Sequence, residues 1–269
     1  MEPAWHDIAT ILSINLGITM GAVVFLWLVS IPLRDVSIID MSFAIILLAV
    51  AGVTCGLAEG VPARKLLIVS LVAIWALRIT AYLVRRNWGH GEDVRYTKLR
   101  NWVADDRAFV WLSLRKVFLL QGAVLWLVSL PIQVAQVYRT PANLGWLAAT
   151  GATVWLAGLV IETIADQQLS RFRADSANAG KVLSSGLWRY SRHPNYFGEL
   201  CVWWGLFIIA TENWIGVLTI VGPLAYTYLI INVTGQRTLD KKLGREKPGY
   251  KAYMESTSGL IPLPPRTRR

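Results

Sequence analysis

Charge is what this sequence has least of. Asp, Glu, Lys and Arg make up 16% of its 269 residues while 54% are hydrophobic, a balance outside that of soluble domains. No stretch is polar enough for a separate soluble domain. Cysteine is also scarce: Cys55 and Cys201 each fall inside an apolar run, and the three histidines are scattered. That excludes a disulfide framework and any zinc or haem site of ordinary ligand spacing. No Gly-x-Gly-x-x-Gly follows a strand and there is no P-loop, so a soluble nucleotide-binding module is excluded too. The first apolar run has neither a basic leader nor a small-residue cleavage site, which predicts a retained helix rather than a signal peptide.

What is present in quantity is apolar sequence long enough to cross a hydrocarbon core of about 30 Å. Such runs recur along the whole chain, interspersed with 13 Trp. They predict an all-α, polytopic integral membrane protein, a single domain over 1–269 with seven transmembrane helices near 8–31, 38–57, 65–86, 108–134, 144–166, 194–210 and 215–233. Gly17 with Gly21, and Gly52 with Gly56, have the spacing at which a second helix can approach closely. The net charge of +10 is gathered in the third-to-fourth and fifth-to-sixth connections and in the tail from Gln236. The turn at 211–214 has no basic residue. The positive-inside rule then predicts a cytoplasmic C-terminus. Charge so placed suits membrane orientation and a phosphorylated ligand, not nucleic acid.

The densest polar chemistry lies in Gly186-Leu-Trp-Arg-Tyr-Ser-Arg-His-Pro-Asn-Tyr-Phe-Gly-Glu199. Pro194 has no N–H to donate and disfavours helical geometry at His193, so a helix is predicted to start at Pro194. Its free N–H groups, with Arg189 and Arg192 beside them, form a candidate anion site. Asn195 and Glu199, four apart, share a face. Upstream, Trp75, Arg78, Tyr82 and Arg85 form one helical stripe; Arg78 lies deep enough to need an anionic partner, whereas Arg85 and Arg86 can also snorkel to the interface. Glu162, Asp166 and Arg173 share another face, for which salt-bridged packing is the plain alternative. Asp40 is either a helix cap or an inward-facing carboxylate. These stripes converge on one cytoplasmic-side cavity, cationic at one end and aromatic and apolar at the other. NADPH and a lipid substrate fit that description, because Arg suits phosphate recognition.

The Gly186–Glu199 stretch resembles the C-terminal signature of the steroid 5-alpha-reductase family, particularly its bacterial membrane homologues. Leu77-Arg-Ile-Thr-Ala-Tyr-Leu-Val-Arg-Arg-Asn87, Gly91-Glu-Asp-Val-Arg-Tyr-Thr-Lys-Leu-Arg100 and the terminal Tyr250-x-x-Tyr253 to Pro262-Leu-Pro-Pro265 are similar as well. The resemblance implies NADPH held inside a helical bundle and hydride transfer to the enone of a 3-oxo-4-ene steroid. Hydride arriving at the β-carbon leaves charge on the carbonyl oxygen, so a donor must meet it. The resemblance places Asp40 and Tyr82 on the catalytic side. It gives the cofactor Arg78, Asp166, Arg173, Lys181, Asn195, Glu199 and Asn232; Arg85, Arg95, Tyr96, Tyr190, His193 and Tyr196 complete that expected set. Trp75 stands where the steroid enzymes carry a Tyr. An S-adenosylmethionine-dependent isoprenylcysteine-type methyltransferase shares the shorter Arg-His-Pro-x-Tyr core, and a non-enzymatic lipid carrier accounts for the charge alone. The expected partners are a lipid or steroid substrate and the membrane lipids, with no obligate protein partner.

Overall fold

A computed structural model describes residues 5–233 and 235–266. Among them every regular element is helical: α1 Trp5–Leu33, α2 Ile38–Leu57, α3 Pro62–Asn87, α4 Val94–Arg100, α5 Asp106–Ser113, α6 Leu120–Val128, α7 Leu130–Val134, α8 Trp146–Ala174, α9 Pro194–Ala210, α10 Trp214–Val217, α11 Val221–Tyr228, α12 Gln236–Glu246 and α13 Tyr250–Ser256. Six helical segments among the described residues are long and apolar enough to cross a membrane. Helix α9 stands where the sixth of the seven expected spans was placed and is 17 residues long. Large apolar side chains on the long helices, Phe25, Leu66, Leu77 and Leu156 among them, are more than half exposed. Such a surface belongs in hydrocarbon.

The chain divides into two compact units. Unit one holds the residues up to Gly145 together with Ala210–Gly222, and unit two holds Trp146–Ile209 with the chain from Pro223 onward. In unit one α2 packs along α3, and α1 lies against α2 and α6. Lipid removes the hydrophobic drive for helices to associate, so polar contacts carry more of the specificity. Fully buried Asn15 on α1 donates to Thr54 Oγ1 at 2.8 Å and to Gln133 Oε1 at 3.0 Å, tying α1 to α2 and α7. At the N-terminal end of α3, buried Arg64 donates to Glu212 at 3.1 Å and to the carbonyls of Tyr138 and Pro141.

In unit two the central contact is α8 against α9. A Cβ added to Gly158 would lie 2.5 Å from the Gly198 carbonyl oxygen, and one added to Gly198 would lie 2.6 Å from the backbone nitrogen of Glu162. Gly151 and Gly205 repeat the arrangement two turns away. The close-packing pairs expected on α1 and α2 do not behave this way, since no atom lies within 4 Å of a Cβ built on Gly17, Gly21, Gly52 or Gly56. The spacing is permissive; only the neighbour's identity makes it a contact.

Candidate functional site

Three features bring the chain to the start of α9. Gly186 sits at φ +59°, and a Cβ there would meet the Gln168 side chain at 2.5 Å, so the backbone passes directly over α8. Leu187 N then donates to Gln168 Oε1, and Trp188 Nε1 donates to the Ala165 carbonyl. Finally Ser191 and Arg192 are held by the tail through Ser191 Oγ to Leu260 O and Arg192 N to Ser258 O. Pro194 opens α9 as the sequence predicts.

Because α8 and α9 touch at Gly158 and Gly198, the polar residues one turn on come together. Glu162 and Asp166 are buried at 2% and 3% exposure. Asn195 Nδ2 donates to Asp166 Oδ1 at 3.4 Å, while Asn195 Oδ1 is enclosed with no hydrogen-bond partner among the described residues. Glu199 Oε1 accepts the Tyr226 hydroxyl of α11, a partner the sequence analysis did not single out. Asn232 donates to Tyr228 O within a π-helical segment, Leu229–Val233; such segments interrupt the regular ladder. Carboxylates this deep in an apolar helix pair are costly and mark function more often than packing.

Not all of the signature points there. Arg192 reaches Asp240 of α12 at 2.8 Å and the carbonyls of Met254 and Thr257. His193, 1% exposed, bonds the same carboxylate through Nε2 at 2.9 Å, and Tyr250 Oη donates to it at 2.6 Å. Arg192, expected to flank an anion at the start of α9, is therefore paired with the protein's own Asp240. Tyr196 stacks on the His193 ring at 5.3 Å. Burial, then the hydrogen bond to Asp240, pushes the Tyr250 hydroxyl well above the ordinary tyrosine range. Tyr190 and Lys181 are exposed, and the Lys181 carbonyl accepts Lys247 Nζ at 2.7 Å. Arg173 shares a face of the continuous helix α8 with buried Glu162 and Asp166, as expected, but is itself exposed. It lines a pocket of about 170 Å³ with Ser176, Asn178 and Lys247, and makes no ion pair among the described residues.

Unit one gathers a second cluster. The polar connection after α3 contains α4. Asp93 caps it by accepting the Arg95 backbone N–H at 2.8 Å. Burial opposes the Asp93 charge, yet the Arg95 side-chain and backbone hydrogen bonds win and hold its carboxyl below the usual range. The cap sets Arg95 and Tyr96 against the first turn of α2. Asp40 Oδ2 accepts Arg95 Nη2 at 2.6 Å, and Oδ1 accepts the Tyr96 hydroxyl at 2.9 Å. Gln121 Nε2 of α6 donates to the same hydroxyl at 3.3 Å. Asp40 is thus an acceptor inside a cluster and not a helix cap; Ser37 occupies the cap position. Burial first, then the Asp40 charge, raises the Tyr96 pKa far above its ordinary value. Tyr82 lies half-buried under the Arg86 guanidinium, 5.7 Å from the ring centre. Arg78 is half-buried and Arg85 exposed. Trp75 is 1% exposed with its ring edge-on to Phe43 at 6.0 Å.

Together, these observations define a polytopic helical membrane protein with ionisable groups held between its helices. The chain belongs to the family described as protein of unknown function DUF1295, matched over residues 26–257, a family related to the steroid 5-alpha-reductases. An uncharacterized protein of Schizosaccharomyces pombe is 26% identical over 271 residues, covering 88% of this chain and 75% of that one. The mouse and rat 3-oxo-5-alpha-steroid 4-dehydrogenases 1 are each 38% identical over 69 residues, 26% of this chain. Those matches span only 27% of the mouse enzyme and 26% of the rat enzyme. No solved structure matches.

Proposed function

We propose that the protein is a membrane-embedded, NADPH-dependent reductase of a conjugated enone in a lipid, with 3-oxo-4-ene steroids as the leading substrate class. The observation that carries this reading is the Glu162, Asp166, Asn195 and Glu199 cluster, buried between apolar helices of a chain with local similarity to steroid dehydrogenases. The donor set fits the cofactor. Asn195 Oδ1 is an enclosed acceptor lacking an N–H, which a carboxamide or an amine supplies, and Arg173 is an exposed cation that makes no ion pair among the described residues, suited to phosphate. Lys181 adds a second cation, and Asp166 and Glu199 are acceptors for hydroxyl donors. When bound, NADPH supplies the hydride.

The chain's own task is to meet the charge that builds on the enone oxygen. Asp40 and Tyr82 are assigned to the catalytic side. Asp40 receives donors on both oxygens, and of the two the Tyr96 hydroxyl is the one that can release its proton, since a guanidinium stays protonated. Asp40 therefore serves by orienting and polarising that hydroxyl. Arg95, Arg78 and Arg85 supply positive potential around it.

The test is the melting temperature of the detergent-purified protein with NADPH, NADH or S-adenosylmethionine in excess, since a ligand bound only by the folded state raises it. A shift with NADPH that disappears in Asn195→Ala, together with NADPH-dependent reduction of a 3-oxo-4-ene steroid, is expected. A shift with S-adenosylmethionine alone would make the protein a methyltransferase, and no shift with any of the three would favour a lipid carrier.

A further inference from the structure

Unit one holds a second polar cavity, of about 180 Å³, walled by Ser30, Ile31, Arg34, Val36, Arg100, Asp106, Phe109, Val110 and Ser113. Three of these decide what it can bind. Arg100 is committed: its Nε and Nη2 grip Glu92 at 3.1–3.3 Å, its Nη1 reaches Asp106 Oδ1 at 3.3 Å, and its guanidinium lies 3.9 Å from the Phe109 ring centre. Arg34 is uncommitted. Its side chain is 81% exposed, and its one contact among the described residues is a 4.0 Å approach to Asp106 Oδ2. Asp106 Oδ2 accepts no hydrogen bond there, and that side chain is 67% exposed. One cationic fork and one carboxylate oxygen, 4.0 Å apart, are thus left with unused hydrogen-bonding capacity at the cavity mouth.

The charge balance narrows the ligand. Arg34 and Arg100 carry two positive charges, and Glu92 and Asp106 two negative ones, so the cluster is neutral but internally separated. A plain anion would meet Asp106, and a plain cation would meet Arg34. A zwitterion with a phosphate and a hydrogen-bonding ammonium satisfies both. A quaternary ammonium has no N–H for Asp106, and the Phe109 face, which would attract it, is covered by Arg100. The position fits a lipid as well. The cavity lies where α1 ends, below exposed Phe25, Leu28 and Leu33 and beside Trp111, which is 55% exposed and packs on Trp27 at 5.7 Å. Tryptophans and arginines at the end of an apolar helix mark the headgroup level.

We propose that this cavity is a binding site for a phosphoethanolamine headgroup lipid, its phosphate on the Arg34 fork and its ammonium on Asp106, with acyl chains along the exposed face of α1. The experiment is native mass spectrometry of the delipidated full-length protein after equilibration with equimolar phosphatidylethanolamine, phosphatidylcholine and phosphatidylglycerol. Retention of phosphatidylethanolamine in preference to the other two is expected. Arg34→Ala should lower it about tenfold, the equivalent of one charge-assisted hydrogen bond. Asp106→Asn should abolish the preference over phosphatidylcholine while leaving total lipid retained. Melting temperatures close to wild type would show that both variants fold, and Arg34→Lys, which keeps the charge without the fork, should retain an intermediate amount. Equal retention of the three lipids by the wild type, a preference for phosphatidylglycerol, or a preference surviving both substitutions would overturn the site. Binding of free phosphoethanolamine as tight as that of the lipid would overturn the lipid assignment.

Discussion

Asp40 shows what a single residue can and cannot reveal. A carboxylate in the first turn of an apolar helix is equally compatible with capping and with inward function, and nothing within α2 separates the two. The deciding residues lie more than fifty positions away in sequence, on α4, where the Asp93 cap presents Arg95 and Tyr96 to it. Asp40→Asn should cut turnover while NADPH still raises the melting temperature; unchanged turnover would reduce Asp40 to an anchor for α4. Tyr96 gives a pH prediction with a definite sign. An unfolded tyrosine ionises near pH 10, whereas burial and the Asp40 charge keep the folded Tyr96 protonated beyond that. Its contribution to stability is therefore complete below about pH 10 and declines above it, because there only the unfolded chain releases the proton. Denaturant titrations of wild type and Tyr96→Phe from pH 9 to 11 should show the wild type losing more stability. Parallel slopes would mean that Tyr96 ionises normally. His193 teaches the complementary lesson. Its place in the signature was plain, but its partner Asp240 lies 47 positions on, in a polar helix with no sequence mark of a buried carboxylate.

At the scale of elements, apolar length was readable because the membrane imposes it. Helices occupy all seven expected stretches, and α2 and α9 begin and end where the sequence placed them. The failures come from features that length does not record. Helix α4 is seven residues long and polar, so no hydrophobic period announced it; its one sequence mark is Asp93 immediately before it. The glycine contacts were misplaced for a related reason. Gly17 with Gly21 and Gly52 with Gly56 have the familiar four-residue spacing, whereas the glycines that meet across the helix pair, Gly158 with Gly198 and Gly151 with Gly205, are seven apart along each helix. Two close approaches two turns apart allow a longer crossing, and that crossing sets Asp166 beside Asn195. Gly198→Ala should therefore be disproportionate. The new methyl would meet the Glu162 backbone at 2.6 Å, and backbone cannot rotate away as a side chain can, so overpacking of about 1–3 kcal/mol is expected. Alanine at Gly52 or Gly56, where the added Cβ has open space, should not lower stability, since alanine is the better helix former. If Gly198→Ala melts with the wild type and binds NADPH equally well, the α8–α9 contact does not build the site.

For the whole molecule, the open quantity is the number of crossings, and it turns on α9. Its 17 residues rise roughly 26 Å, at the lower limit for a span, and its polar first turn with Asn195 and Glu199 shortens the apolar part further. Yet α9 lies along α8 through backbone contacts over two turns, so a crossing α8 takes α9 with it, and buried neighbours can shelter the polar turn as lipid cannot. With α9 spanning, the chain crosses seven times and its ends lie on opposite sides. With α9 failing to cross, six spans leave both ends on the same side. The basic residues give an expectation for the side: Arg237, Lys241, Lys242, Arg245, Lys247 and Lys251 crowd the segment after the last apolar helix, and the positive-inside rule predicts a cytoplasmic place for such a segment. In a Cys55→Ser, Cys201→Ser background, His6→Cys and Lys251→Cys each introduce one thiol at an exposed position. An impermeant maleimide added to intact bacterial spheroplasts should label the first and spare the second. Protection of both would reduce the crossings to an even number and place α9 on one face of the membrane, and labelling of the second alone would reverse the orientation that the basic tail predicts.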